Sequence, residues 1–251
     1  MLLVGLDCAT QPRNTGLARA TLEGGRVTVR DAEIGRTAEG VTDTLAGWLW
    51  ESPRAVLALD APLGWPAPMA RALAEHRAGG PLAPAPNDMF NRATDLAVWR
   101  VLGKKPMEVG ANWLARTAHA ALATLAAVRE RVDVEMGWAP GAVPGAASGG
   151  AAHALEVYPA ATLLARGLPT RGYKAAGARD LRRGLADALD VDWAPDARAS
   201  AIATDHALDA AICCLAAADY ARGDVLTPEA AGVPVETARR EGWIWFRPPG
   251  P

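Results

Sequence analysis

The sequence of 251 residues is short of cysteine, lysine, phenylalanine and tyrosine. Its three cysteines, Cys8, Cys213 and Cys214, provide neither the even number nor the spacing of a disulfide framework or a zinc site. We therefore expect buried thiols in a reducing compartment. No apolar run approaches the ~18 residues that span a bilayer, and the first apolar segment ends at Asp7. These absences favour a cytoplasmic protein with no membrane partner.

The sequence also lacks an excess of charge of either sign. It has 26 basic and 28 acidic residues, a formal net charge of -2. This balance excludes a positively charged coat for nucleic acid, although it allows a local basic groove. Half of the residues are hydrophobic, which is enough for a large core. The length favours one domain over residues 1–251, and nothing indicates the oligomeric state.

The first sixty residues have the apolar pattern of a sheet with one helix. Gly24 and Gly25 match a two-residue hairpin turn between two of the strands. The pattern predicts strands at 2–8, 15–23 and 26–34, an amphipathic helix at 38–51 and a buried strand at 55–60.

Proline and glycine then interrupt mostly helical segments over residues 63–150, which we interpret as a helical insertion within the domain. A fifth strand follows at 153–158 and a long helix at 200–221. Residues 241–246 suit a closing strand. Since parallel strands need long connections, this order predicts an α/β fold: a mixed five-stranded sheet flanked by helices, with the insertion between its fourth and fifth strands.

Four acidic residues occupy positions where a sheet or a buried helix rarely has charge. Asp7 and Asp60 end predicted strands, Glu156 lies inside the fifth strand, and Asp209 lies in an apolar part of the last helix. Each carboxylate must be exposed, paired, protonated or bound to a metal ion. Taken singly, Asp7 and Asp60 also suit turn caps, and Glu156 suits the solvent face of its strand. If several converge, their repulsion favours a divalent cation.

Asp205 lies four residues before Asp209, so both carboxylates project from one face of the helix. Like charges at this spacing disfavour a helix unless a positive group lies near them. The alternative is a solvated face on which Asp205 is an early-turn residue. We expect His206 near the site or on the surface rather than as a metal ligand.

Six short motifs occur in the order seen in the family called domain of unknown function 429, which this sequence resembles over nearly its whole length. That family is similar to the ribonuclease H-like superfamily and is described as predicted nucleases. The motifs are Gly5-Leu-Asp-Cys-Ala9, Leu59-Asp-Ala-Pro-Leu-Gly64, Arg92-Ala-Thr-Asp95, Glu156-Val-Tyr-Pro-Ala160, Asp205-His-Ala-Leu-Asp-Ala210 and Glu241-Gly-Trp-Ile244.

The resemblance implies a ribonuclease H-like core with catalytic carboxylates on its first strand, fourth strand and last helix. By motif position these are Asp7, Asp60 and Asp209, with Asp205 as a fourth metal ligand and Glu156 as a further member of the pattern. Oxygen ligands favour Mg²⁺ or Mn²⁺. Two ions about 3.5 to 4 Å apart would hold a phosphate, with Asp7 bridging them and Asp205 or Glu156 orienting the water.

Candidate contacts to the phosphates lie in the insertion and after it. Arg92 suits a bidentate phosphate contact, and its spacing equally suits an ion pair with Asp95. Lys174 is a second candidate, against the alternative of a solvated lysine. Trp99 and Trp113 are candidates for stacking on bases. We expect both in the core of the insertion, because aromatic residues at helical positions usually pack.

These observations predict a metal-dependent phosphodiesterase or nuclease acting on DNA or RNA. The alternative is a catalytically silent protein of the same fold that binds nucleic acid or regulates, which the lack of a basic surface favours. A nucleotide-dependent phosphotransferase is a minor alternative, because the superfamily includes actin-like and sugar-kinase ATPases. Those proteins normally duplicate the core, and this sequence has one copy.

Overall fold

The computed structural model describes residues 1–110, 112–143, 145 and 151–249. Within this part of the chain, seven strands form one sheet. The strands are β1 (Leu2–Asp7), β2 (Gly16–Glu23), β3 (Arg26–Ile34), β4 (Ala55–Asp60), β5 (Asp133–Met136), β6 (Ala151–Glu156) and β7 (Asp192–Trp193). The helices are α1 (Ala38–Trp50), α2 (Ala67–Leu73), α3 (Pro86–Phe90), α4 (Ala93–Leu102), α5 (Asn112–Arg129), α6 (Pro159–Leu164), α7 (Arg179–Ala188), α8 (Pro195–Ala203), α9 (Asp205–Arg222) and α10 (Val235–Glu241).

The strand order across the sheet is β5-β6-β4-β1-β2-β3-β7. Strand β2 runs antiparallel to β1 and β3, whereas β4 and β6 continue the sheet parallel to β1. In register, Asp7 faces Asp60, and Leu59 faces Glu156. The mixed sheet flanked by helices confirms the predicted α/β fold class. Because the carboxyl ends of parallel strands meet at one edge, the topology brings three of the predicted acids to the same place.

The sheet is larger than the five strands predicted from the sequence. Strand β5 lies within residues 63–150 and pairs with β6, and the two-residue strand β7 extends the opposite edge beside β3. Segments of two to four residues are too short to show an alternating pattern. Residues 241–246 form a single bridge between Ile244 and Glu156 instead of a strand. The bounds of the insertion stay a prediction, and its residues 111, 144 and 146–150 lie outside the described residues.

Helix α9 covers one face of the sheet, and α1 and α5 cover the other. The α9 residues from Ala207 to Tyr220 are all buried. The helix approaches the sheet closely because β1 and β2 have glycine where they meet it. A Cβ atom on Gly5 would lie 1.9 Å from the Ala210 carbonyl oxygen, and one on Gly16 would lie 2.0 Å from that of His206. Among the described helices, none has the length and apolar character needed to cross a membrane.

Candidate active site

Three carboxylates converge where β1 and β4 end against α9. One carboxylate oxygen from each of Asp7, Asp60 and Asp209 lies within 4.8 Å of the others. Asp7 and Asp60 are adjacent because the parallel register pairs them, and Asp209 joins them because α9 lies directly on Gly5. The spacing of these oxygens is short enough for one cation to contact all three residues.

Asp7 is buried and hydrogen bonded to a histidine. The Nδ1 atom of His206 lies 2.6 Å from Asp7 Oδ2. Burial raises the pKa of the Asp7 carboxyl, although the hydrogen bond and charge of His206 oppose this change. The same hydrogen bond raises the pKa of His206. The sequence analysis expected His206 near the site or on the surface, and the structure places it against one of the three acids.

The carboxyl groups of Asp60 and Asp209 also have raised pKa values. Burial raises the pKa of Asp60 well above its usual range, and the negative charges of Asp7 and Asp209 raise it further. Burial also raises the pKa of Asp209 to about 6, although the charge of Lys174 opposes it. Both shifts have the same main cause, which is burial of the carboxyl away from water, and the negative charge of Asp7 adds to both.

Asp209 has two neighbours from the loop before α7. The hydroxyl of Tyr173 donates a hydrogen bond of 2.8 Å to Asp209 Oδ1. The Nζ atom of Lys174 lies 2.5 Å from Asp209 Oδ2, but the contact lacks hydrogen-bond geometry, so this buried oxygen has no donor among the described residues. Sequence reasoning missed Tyr173, because no local pattern links it to a residue on α9.

Two further predicted acids lie beside the cluster rather than in it. Asp205 is the first residue of α9. Its negative charge contributes to raising the pKa of Asp7. Glu156 is buried at the end of β6 and accepts hydrogen bonds from the Arg92 guanidinium and from the backbone N–H of Leu63. Glu156 therefore does not lie on the solvent-exposed face considered from the sequence, and its part in the reaction stays a prediction.

Arg92 is buried and occupied by protein acceptors. Its guanidinium contacts the carboxylates of Asp95 and Glu156 and the carbonyl oxygen of Glu241. These contacts engage all three guanidinium nitrogens, and a contact between Arg92 and a phosphate stays a prediction. The geometry favours the ion pair with Asp95 over the predicted phosphate contact, and it extends that pair to β6 and the end of α10.

A cavity of about 430 Å³ opens above the carboxylates. Its wall includes Asp7, Asp60 and Lys174, together with six residues of the predicted insertion: Pro106, Met107, Trp113, Leu114, Arg116 and Thr117. Trp113 lines this wall and is 55% exposed. Trp99 is 51% exposed elsewhere on α4. The expectation that both tryptophans lie in the core of the insertion is wrong.

Comparison with solved structures matches the chain to T. thermophilus RuvC in complex with Holliday junction substrate. The match has 15% sequence identity and a TM-score of 0.32, and it covers 87% of this chain and 94% of that chain. A search of curated proteins finds no match. A family model described as Protein of unknown function (DUF429) matches residues 5–232, a range that includes all three clustered acids. With so much of its length matched, the chain is a member of this family.

Proposed function

We propose that the protein is a metal-dependent phosphodiesterase that hydrolyses nucleic acid. One observation carries the proposal: three carboxylates from β1, β4 and α9 converge within 4.8 Å, and two of them, Asp7 and Asp60, line an open cavity. Structural acids are usually spread out or paired with cations, because crowding them raises their free energy. Catalytic sites concentrate such perturbed groups.

The donor set fits a hard divalent cation. It consists of carboxylate oxygens, which suit Mg²⁺ or Mn²⁺ better than Zn²⁺. Asp209 Oδ2 is buried without a hydrogen-bond donor, and Lys174 is the one ammonium in contact with it among the described residues. A bound cation would replace repulsion by attraction at Asp7, Asp60 and Asp209, which would be its ligands. The number of ions and the places of Asp205 and Glu156 in the reaction stay predictions.

Hydrolysis adds water to phosphorus, breaks one P–O ester bond and leaves a phosphomonoester and a hydroxyl group. A divalent cation at these carboxylates supplies charge neutralisation and lowers the pKa of bound water. The chain's own residues orient the carboxylates: His206 fixes Asp7, and Tyr173 fixes Asp209. Lys174 lines the cavity, where its ammonium can pair with a substrate phosphate once a cation has replaced it at Asp209.

The test is cleavage of end-labelled DNA, RNA and a small aryl phosphodiester with Mg²⁺, with Mn²⁺ and with EDTA. We expect metal-dependent cleavage that falls by at least about 100-fold in Asp7→Asn and Asp60→Asn, the order of loss seen when one electrostatic catalytic group is removed. Asp180→Asn, at an exposed position on α7, is the matched control and keeps full activity.

A catalytically silent binding protein is the second candidate, and the contact between Lys174 and Asp209 favours it. An ammonium beside the carboxylates reduces their repulsion without a metal ion. Cleavage of none of the three substrates with either metal would support this candidate and contradict the enzymatic proposal.

A further inference from the structure

The cavity wall opposite the carboxylates exposes large apolar side chains. Met107 and Trp113 are 56% and 55% exposed, and both line the cavity with Leu114. The buried face of α5 starts only at Thr117, so Trp113 lies one turn outside the packed part of its helix. Exposed apolar groups beside a polar site mark contact with a ligand.

Four positive side chains lie in or near this cavity. Arg116 and Lys174 line the cavity. Lys104 donates a hydrogen bond of 3.2 Å to Thr170, which places it beside Arg171. Among the ion pairs of the described residues, none involves Lys104, Arg116 or Arg171. We call Lys104, Arg116, Arg171 and Lys174 the basic rim.

The charges of the basic rim act on one another. Burial lowers the pKa of Lys104, and the positive charges of Arg171 and Lys174 lower it further. Lys104, Arg116 and Arg171 have no acidic partner among the described residues, and such cations attract phosphate groups, so the rim gives a nearly neutral chain one locally basic surface.

We propose that the site binds single-stranded nucleic acid, with a base stacked on Trp113 and the neighbouring phosphates on the basic rim. This inference rests on the proposed function only in sharing its site. The binding of a single strand does not depend on the hydrolysis reaction. A groove that combines aromatic side chains with positive charge is the pattern of proteins that bind single strands. In a duplex the base faces are covered by their neighbours, so Trp113 would find no face to stack on. A cavity of about 430 Å³ has the size of a small-ligand pocket, which suits one unpaired nucleotide.

Fluorescence anisotropy in EDTA tests the binding without cleavage. The probes are labelled 12-residue single strands of DNA and of RNA, and the corresponding DNA duplex. We expect single strands to bind at least about tenfold more tightly than the duplex, and Trp113→Ala to weaken single-strand binding by about tenfold. Trp113→Phe restores most of the affinity. Trp99→Ala removes an equally exposed tryptophan outside the cavity and changes the affinity by less than about twofold.

The basic rim has its own readout in the dependence of affinity on salt. Lys104→Ala reduces the slope of log affinity against log salt concentration by about 0.7, the value for one phosphate contact to a single strand. Arg100→Ala removes the same charge from an exposed position outside the cavity and leaves the slope unchanged. Melting temperatures of all variants verify that each one is folded.

Equal affinity for single strands and duplex would overturn the inference, as would equal losses in Trp113→Ala and Trp99→Ala. A preference between the DNA and RNA strands identifies the natural polymer and supports the inference in either case. Because metal is absent, failure of this binding leaves the proposed reaction untouched. Conversely, Trp113-dependent binding without metal-dependent cleavage contradicts the proposed reaction alone.

Discussion

Single side chains set the electrostatic state of the carboxylate cluster. Lys174 is positively charged and touches Asp209, yet burial and the charge of Asp7 still raise the pKa of Asp209 to about 6. One ammonium therefore does not neutralise three acids. Tyr173 and His206 each bind one oxygen of the cluster, which fixes its geometry without removing its charge.

This excess charge makes the metal-free protein less stable as the pH rises. Asp209 has a pKa of about 6 in the folded protein against its usual 3.8, so the folded state binds more protons between these values. The free energy of unfolding falls as the pH rises through that window, by about 3 kcal/mol for a shift of this size. The raised pKa values of Asp7 and Asp60 lower the free energy of unfolding in the same direction as the pH rises.

Urea unfolding in EDTA between pH 4 and pH 8 measures this dependence. We expect Asp209→Asn to have a shallower fall than the wild type, because the amide does not titrate. Asp180→Asn, an exposed control, follows the wild type. If the free energy of unfolding falls equally steeply with pH in the wild type and in Asp209→Asn, then titration of Asp209 does not cause the fall.

The positions of some site residues follow from local pattern, and those of others do not. The ends of two strands and an apolar helix single out Asp7, Asp60 and Asp209 as acids at unusual positions, and the resemblance to the family implied that they meet. Arg92 could not be placed in this way, because its partner Glu156 is 64 residues away and its spacing to Asp95 fits two roles. The functions of these site residues stay predictions until they are measured.

Among the structural elements, α9 and β1 together build the site. Their contact depends on Gly5, whose missing side chain lets the backbone of α9 approach the strand next to Asp209. The burial of α9 along nearly its whole length holds this helix against the sheet. The distance between Asp7 and Asp209 is therefore set by element packing.

The substitution Gly5→Ala tests the packing of α9 on β1. The new Cβ would lie 1.9 Å from the Ala210 carbonyl oxygen, so α9 or β1 must shift. We expect the free energy of unfolding to fall by at least about 2 kcal/mol, as in overpacked cores, and the affinity for Mn²⁺ to fall with it. Urea unfolding and calorimetric titration measure the two effects.

Gly47→Ala is the matched control for this substitution. Gly47 lies inside α1, and a Cβ there meets no atom within 4 Å. Alanine is favoured over glycine in a helix, so this variant is more stable by up to about 1 kcal/mol. A Gly5→Ala protein as stable as Gly47→Ala would contradict the close packing of α9 on β1.

Element prediction succeeded where the segments were long and failed where tertiary contacts decide. The mixed sheet and most of the long helix followed from apolar periodicity. The predicted helix over 200–221 is divided, however, because Thr204 is extended and caps α9, so that α8 ends at Ala203 and α9 begins at Asp205. Strands β5 and β7 are too short for a period and exist because a neighbouring strand has free hydrogen-bonding groups. Trp113 sits at a helical position, but the first turn of α5 extends over the cavity and leaves it exposed.

At the scale of the whole molecule, a buried ionic network ties the predicted insertion to the sheet. Arg92 forms ion pairs with Asp95 on α4 and with Glu156 on β6. The carboxylate of Glu241, at the end of α10, accepts hydrogen bonds from the backbone N–H groups of Ala67 and Ala93. Breaking such a buried pair leaves an uncompensated charge, which is strongly destabilising. The network therefore ties α2 and α4 to β6 and to the end of α10.

The central claim is that three carboxylates from separate parts of the chain together hold a divalent cation. Calorimetric titration of Mn²⁺ at pH 8 into the wild type, Asp7→Asn and the control Asp180→Asn tests it most directly, with a phosphorothioate single strand added in a second series to supply substrate oxygens. We predict binding in the wild type and in Asp180→Asn that is lost in Asp7→Asn. Equal binding in all three proteins, or none in the wild type in either series, would contradict the claim.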